Sequence, residues 1–380
     1  MQRRQFIGSS AALGLASIFS GSISHAGANS SPWIIGSTAA LTGPLGGFGL
    51  ENQKGVQAAL AQINAKGGVH DRPLHMEVLD DAYVPARSVE NAKLLLANPN
   101  IIGMMSCLGT ANNAVITPLI EAAGIVHLAP LTGAASLRTS GLRNVFHVRA
   151  SYSDEIQRLV QNVASMGIKN LAIVYTDNVY GKEVAADASS SLKTGGITTL
   201  GSYALAIDGK NVEAVVAQIV AANPSAVVLG TTGAATTGLV AALRKVSPSM
   251  PLAGISATLT QDGISKLGTS ARGVAITMVF PEPNRSKHQI IRDYQAAMRT
   301  TAQDRFSTGS LEGYINMRIM AEALQRSGRN TDREKLRQAV AGIRNLDLGG
   351  FQVDYSSSVA RVGSRYVDLG VLSGDGRVMS

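Results

Sequence analysis

Side chains able to do chemistry are sparse in this chain, and their spacing excludes most reactions. The six histidines are His25, His70, His75, His127, His147 and His288, and none forms an H-E-x-x-H or other close ligand pair. His127 and His147 fall in apolar runs that read as strands, where a histidine is a core or cleft-wall residue rather than a base. Cys107 is the single cysteine, so it has no disulfide partner and too few thiolates for a cysteine-based zinc site. It reads as a buried, inert thiol. Asp80-Asp81 and Asp154-Glu155 are paired acids, but adjacency is not the geometry that acid–base catalysis needs. There is no G-x-S-x-G elbow. Gly209-Lys210-Asn211 lacks the upstream glycine and the Ser/Thr of a phosphate loop. The glycine-rich stretch 43–49 lies between a strand and a helix without G-x-G-x-x-G spacing, and Asp80 and Asp81 come nearest to an acid in dinucleotide register. The expectation is a binding protein: not an enzyme, with no cofactor and no metal.

The elements that position these residues follow from length and pattern. A chain of 380 residues predicts two globular units. At 45% apolar and 16% charged it has material for sizeable cores, which excludes global disorder. No apolar stretch in the body of the chain is long enough for a membrane bundle. Short apolar runs near 33, 74, 101, 125, 145, 171, 197, 226 and 274 read as strands, separated by stretches of helical period. Examples are Val56/Leu60/Ile63, Val184/Ala188/Leu192 and the segment opened by Pro85. Strands alternating with helices imply right-handed βαβ units and parallel sheets covered on both faces. Two such series predict an α/β fold of two doubly wound lobes, with 307–341 helical and 350–380 made of strands and turns. In such sheets ligands bind beyond the carboxyl ends of the strands.

The N-terminus carries a separate message. Arg3-Arg4, a short apolar run over 9–23, and small residues around a cut after Ala26 have the three-part form of an export signal. The twin arginines look like the Tat type. Cleavage removes Arg3 and Arg4 and no acid, leaving +6 of the formal +8 charge. That charge is scattered. Its densest group, Arg333, Lys335 and Arg337, alternates with Asp332 and Glu334 as on a solvated helix face, and no nucleic-acid motif accompanies it. No nucleic-acid partner is expected.

Eight short pieces occur in order: Leu41-Thr42-Gly43-Pro44 with Phe48-Gly49, Ile63-Asn64-Ala65-Lys66-Gly67-Gly68, Asp80-Asp81-Ala82 with Pro85, Cys107-Leu108-Gly109-Thr110, Ala129-Pro130-Leu131-Thr132-Gly133-Ala134, Arg149-Ala150-Ser151-Tyr152, Tyr180-Gly181 and Leu311-Glu312-Gly313-Tyr314. Together they resemble the leucine/isoleucine/valine-binding protein family, periplasmic solute receptors of ABC importers with the type I fold. The resemblance spans residues 32–371. It implies lobes of 32–150 plus 280–362 and of 151–279 plus 363–380, joined by three crossovers near Ala150, Phe280 and Gly363. It also implies a small carboxylate-bearing solute in the cleft, permease subunits as partners, and a monomer.

The ligand set carried over is Phe48, Cys107, Gly109, Thr110, Leu131, Thr132, Gly133, Tyr152, Asp177, Tyr180, Ser256 and Tyr314. Thr110 stands where a strand gives way to a helix, whose N–H groups and dipole suit a carboxylate. The Leu131 backbone, the Thr132 hydroxyl and the Gly133 N–H offer a second set of contacts. Phe48 replaces the tyrosine more usual in the family, so it walls the pocket without a hydroxyl. Tyr180 closes over the solute, and Tyr314 is either a cleft wall or a core residue. Tyr83 stands where some relatives carry a disulfide cysteine, which leaves Cys107 unpaired. Ser256 falls where branched-chain amino-acid receptors place an acid for the α-ammonium. Either Asp177 substitutes for that acid, or the solute lacks an α-amine and is an aromatic or aliphatic acid. An exported ligand sensor is the other class in view; the place of a regulator's DNA-binding head is taken here by the export signal.

Overall fold

Apolar runs rich in Val, Ile and Leu become the strands of two sheets, and the periodic segments between them become helices. The computed structural model describes residues 31–356 and 358–379, so the expected export segment 1–26 lies outside the described residues. The first sheet contains β1 (Trp33–Ala39), β2 (Leu74–Asp80), β3 (Ile101–Met105), β4 (Val126–Leu128) and β5 (Val145–Phe146), all parallel, in the order 2-1-3-4-5. The second contains β6 (Asn170–Thr176), β7 (Thr198–Leu205), β8 (Val227–Gly230), β9 (Leu252–Gly254) and β10 (Val274–Met278), parallel in the order 7-6-8-9-10. A small hairpin, β11 (Leu346–Asp347) and β12 (Gln352–Val353), packs with the first lobe. The tail then adds β13 (Asp368–Leu372), antiparallel to β10, and β14 (Val378–Met379) to the edge of the second sheet.

Helices α1 (Gly46–Asn64), α2 (Pro85–Ala97) and α3 (Thr110–Ala122) connect the first strands. In the second lobe, α4 (Tyr152–Ser165) leads into β6, and α5 (Val179–Thr194), α6 (Val212–Ala222), α7 (Ala234–Val246) and α8 (Gln261–Leu267) follow the strands. The chain then returns to the first lobe as α9 (Gln289–Thr300), α10 (Thr308–Ser327) and α11 (Arg333–Ala341). Local chemistry sets many of the starts. Pro85 opens α2. Ser151 with Asp154 and Ser307 with Ser310 form capping boxes for α4 and α10. Asn178, Thr260 and Asp332 cap α5, α8 and α11. The helical stretch expected over 307–341 is two helices, because Asp332 caps a fresh start after α10 ends at Ser327. β9 and α9 were not anticipated: β9 is Leu252-Ala253-Gly254, with a single bulky apolar side chain to mark it.

The chain passes between the lobes three times: after β5, after β10 and before β13. The first and last passes pair with each other. The His147 N–H donates to Arg361 O at 2.9 Å, and the Gly363 N–H donates to His147 O at 2.8 Å. Val148, Ala150, Val279 and Phe280 from the first two passes are buried in the first-lobe core. Neighbouring His127 and His147 are buried there too, and burial pushes His127 down to about 3. Neither lines the interlobe cleft.

The tightest packing in the first lobe is α1 against α10. A Cβ on Gly55 would overlap the Ser310 carbonyl, and one on Gly313 would overlap the Asn52 carbonyl, so the helices touch backbone to backbone. Gly55→Ala must push α10 away and lowers stability by about 2–3 kcal/mol in urea unfolding. Gly141→Ala is the control; nothing lies within 4 Å of its Cβ position, and its midpoint stays unchanged.

Candidate functional site

A cleft lies between the two sheets, at the carboxyl ends of their strands. Leu45 and Phe48 reach it from the loop and first turn after β1, Tyr83 from the turn after β2, and Leu108, Gly109 and Thr110 from the β3–α3 junction. Across the cleft stand Tyr180 after β6, Thr232 after β8, and Ser256, Ala257 and Leu259 after β9. Arg149 and Tyr152 come from the first crossover and the start of α4.

Seven of the expected residues line this space: Phe48, Gly109, Thr110, Leu131, Tyr152, Tyr180 and Ser256. Three lie one layer behind. Cys107 is buried among Met104, Ile116 and Ile120, and burial pushes its thiol up to about 12. Thr132 is buried and holds the Thr110 hydroxyl at 2.9 Å. Gly133 packs under Tyr152, leaving its own Cβ position 2.5 Å from that ring. The Leu131 N–H is already committed to Cys107 O at 2.9 Å, so Leu131 presents its side chain to the cleft rather than a free amide.

Two expectations are corrected. Asp177 does not line the cleft. It is half-exposed and pairs with Lys182 at 2.9 Å, because the β6–α5 junction turns its carboxylate toward solvent. Tyr314 belongs to the α1–α10 interface, where its hydroxyl donates to Gln62 at 2.7 Å and accepts from Arg318 at 2.9 Å.

Gly109 precedes α3 with φ +99, a conformation costly for residues with a Cβ. A Cβ there would also strike the Tyr83 ring, so Tyr83 takes the space as a cleft wall. No side chain caps the α3 N-terminus, and its first-turn N–H groups lie beside the Thr110–Thr132 hydroxyl pair. The Tyr152 and Tyr180 rings meet edge to face at 5.3 Å and form an aromatic wall.

The floor is ionic. Arg149, 6% exposed, donates to the Ser256 hydroxyl and lies 3.6 Å from Glu155 and 3.5 Å from Glu312. Burial by itself would depress the guanidinium, but Glu312 and Glu155 outweigh it and hold the pKa above the ordinary value. Glu155 also accepts the Ser256 N–H at 2.7 Å, the Ser256 hydroxyl at 3.1 Å and the Thr277 hydroxyl at 2.6 Å. Arg149, Glu155 and Glu312 were not assigned from sequence, although Arg149 and Glu312 stand inside the quoted motifs; an acid or a guanidinium carries no mark of burial in the sequence.

The lobes are closed against each other. The Gln261 N–H donates to Glu51 across the cleft at 2.8 Å, and the Ser136 N–H and hydroxyl both reach Glu183 at 3.1 Å. Burial pushes the Glu51 carboxyl above its usual range.

The profile of the periplasmic binding protein family matches residues 32–366. Leu/Ile/Val-binding protein homolog 3 of Brucella melitensis is 24% identical over 353 residues, covering 90% of this chain and 91% of its own. Among solved structures, an extracellular ligand-binding receptor from Verminephrobacter eiseniae is 30% identical with a TM-score of 0.85, over 92% of this chain and all of its own. A branched chain amino acid ABC transporter from Thermus thermophilus with bound valine shares the fold, with a TM-score of 0.82 at 18% identity over 92% and 95% of the chains. Two α/β lobes closing on a cleft define a solute-binding protein with the type I fold. The chain belongs to the periplasmic binding protein family.

The acids Asp80 and Asp81 hold the loops that follow β1 and β2. Asp81 accepts from Thr38, Ser88 and the Tyr83 N–H. Asp80 accepts the N–H groups of Leu41 at 2.8 Å and Ala82 at 2.9 Å, and the Thr42 hydroxyl at 2.6 Å. Its slight burial raises the pKa, but these hydrogen bonds prevail and hold it at about 2, below the usual 3.8. A carboxylate with a depressed folded-state pKa adds stability that is present above 3.8 and lost as pH falls toward about 2. Acid titration of thermal stability therefore shows a steeper decline for the wild type than for Asp80→Asn in that window. Parallel curves would mean that this loop is held by other contacts.

Proposed function

We propose that this protein is the periplasmic receptor of an ABC importer, which traps one small carboxylate-bearing solute between its lobes and delivers it, as a monomer, to the permease. The observation that carries this reading is the uncapped α3 N-terminus opening into a closed cleft beside the Thr110 hydroxyl. Amide N–H groups and the helix dipole favour an anion there, and the Thr110–Thr132 pair fixes a hydroxyl for it. Phe48, Leu131, Tyr152 and Tyr180 offer an apolar and aromatic wall for the rest of the solute. Contacts to both lobes exist only when the lobes are shut, so binding shifts the population toward the closed form. No bond need be made or broken.

The test is a thermal-shift screen of amino acids, aromatic acids, short-chain carboxylates and uncharged solutes such as sugars, polyols and amides, since a specific binder raises the melting temperature by mass action. At least one carboxylate stabilises the protein, and Thr110→Ala weakens that binder by about tenfold, the worth of one hydrogen bond to a charged group. A hit confined to uncharged solutes would sink the carboxylate assignment. A second reading, a receptor for acids without an α-amine, draws on the neutral Ser256 in the second lobe.

Export by the twin-arginine route rests on Arg3-Arg4 and the small-residue stretch after them. Replacing both arginines by lysine leaves the precursor in the cytoplasm, as seen by cell fractionation. Normal periplasmic yield from that variant would assign export to the general secretory route instead.

A further inference from the structure

We propose that Glu51 is a proton-operated latch between the lobes, so that the clamshell shuts with uptake of a proton at this carboxyl. This rests on the closing motion in the reading above, and on nothing about the chemistry of the solute.

Glu51 stands on α1 of the first lobe and meets the start of α8 in the second. The first N–H groups of a helix have no partner within it. Thr260 caps α8 by accepting the Gly263 N–H at 3.0 Å. The Gln261 N–H is left for Glu51, which accepts it at 2.8 Å, and the Asp262 N–H turns to the same carboxyl. On its own lobe Glu51 meets the Ser307 hydroxyl, and Gly309 leaves room for it: a Cβ there would lie 3.0 Å from Glu51 Oε2. The bonds to α8 exist only when the lobes are shut. With the lobes apart, the carboxyl and the helix N–H groups both face water.

Two effects compete over the charge of Glu51. The helix N–H groups favour the ionised form. Removal from water opposes it, and the surroundings are short of cations. Lys54 acts on Glu51 from one turn along the same helix. Facing it from α8 is Asp262, whose carboxylate pairs with Lys266 at 2.7 Å. The segment after β10 brings Glu282, α9 brings Tyr294, and Glu312 of α10 lines the same cleft. Burial wins: it raises the carboxyl, and the bonds from Ser307, Gln261 and Asp262 with the charge of Lys54 only partly offset it. The neutral carboxyl can still accept the Gln261 N–H through its C=O oxygen, so protonation keeps the bond and removes the cost of a charge. In the open, solvated form the group returns to its ordinary 4.5. A raised value in the shut form makes closure most favourable below 4.5, and that gain is lost as pH rises through the raised value.

The test needs no solute. A Cβ on Gly47 would lie 3.5 Å from Thr260 Cγ2 across the same edge of the cleft, so Gly47→Cys with Thr260→Cys places two thiols within disulfide reach when the lobes are shut. Cys107 is buried and stays out of the exchange. The full mature chain carrying the pair is equilibrated with glutathione at one fixed ratio of reduced to oxidised form, at pH 5 and at pH 7. Two protein thiols become one disulfide while one glutathione disulfide becomes two thiols, so the exchange itself takes up no proton. With Glu51 in place, the crosslinked-to-reduced ratio is about threefold or more higher at pH 5 than at pH 7. Glu51→Gln, which still accepts the Gln261 N–H but carries no charge, holds the ratio near its pH 5 value at both pH values. Glu51→Ala, which serves if the Gln variant fails to fold, also removes the pH-dependence but lowers the ratio throughout. A pH-dependence that survives in the Gln variant would move the proton to another cleft acid such as Glu312 and overturn the proposal. Equal ratios at the two pH values with Glu51 present would overturn it too. A pair that never crosslinks would show that this edge does not shut, and would overturn the closing motion with it. In every case the carboxylate assignment is decided separately, by the thermal-shift screen.

Discussion

The buried guanidinium of Arg149 is the interaction on which the site depends. It sits where the chain first crosses between the lobes, and it reaches Glu155 and Ser256 on one side and Glu312 on the other. A buried cation is costly unless it is paired and hydrogen-bonded. Arg149 meets that condition only when groups from both lobes surround it. The charge thus couples the geometry of the hinge to the geometry of the cleft floor. Removing either acid would leave a buried charge short of its partner, which costs far more than an exposed pair is worth.

Around this floor the two lobes contribute differently. The first offers backbone and hydroxyl donors at the α3 N-terminus, positioned by Gly109 and by the Thr132 hydroxyl behind Thr110. The second offers the Tyr180 ring and the loop after β9, whose Ser256 serves Glu155 and Arg149. Bonds from Gln261 to Glu51 and from Ser136 to Glu183 fasten the mouth. Apolar packing joins them, since Ala134 and Leu137 of the first lobe are buried in the second-lobe cluster around Tyr152 and Tyr180.

Much of the architecture was legible in the residues. The runs at 101–105 and 274–278 are continuous and apolar because parallel strands are covered on both faces, and both became strands. Pro85 marks a helix start by its fixed φ and missing N–H. The junction at Thr110 was equally plain, since a strand running into a helix must present helix N–H groups at the sheet's carboxyl end. Less visible was β9, whose Leu252-Ala253-Gly254 carries only one bulky apolar side chain, although it delivers Ser256 to the cleft. Asp177 and Tyr314 have suitable chemistry and sit near the right motifs, but their side chains leave in other directions, one to solvent and one into a helix interface.

The sequence by itself determined the α/β class, the doubly wound lobes and the strand-end loops that face the cleft, because hydrophobic period and turn chemistry are local properties. Only the tertiary structure decided which polar groups are buried and with whom. Arg149, Glu155, Ser256 and Glu312 lie up to 163 residues apart in the chain and meet at one point. Burial, and with it the cost of an unpaired charge, is a property of that meeting and not of any residue alone.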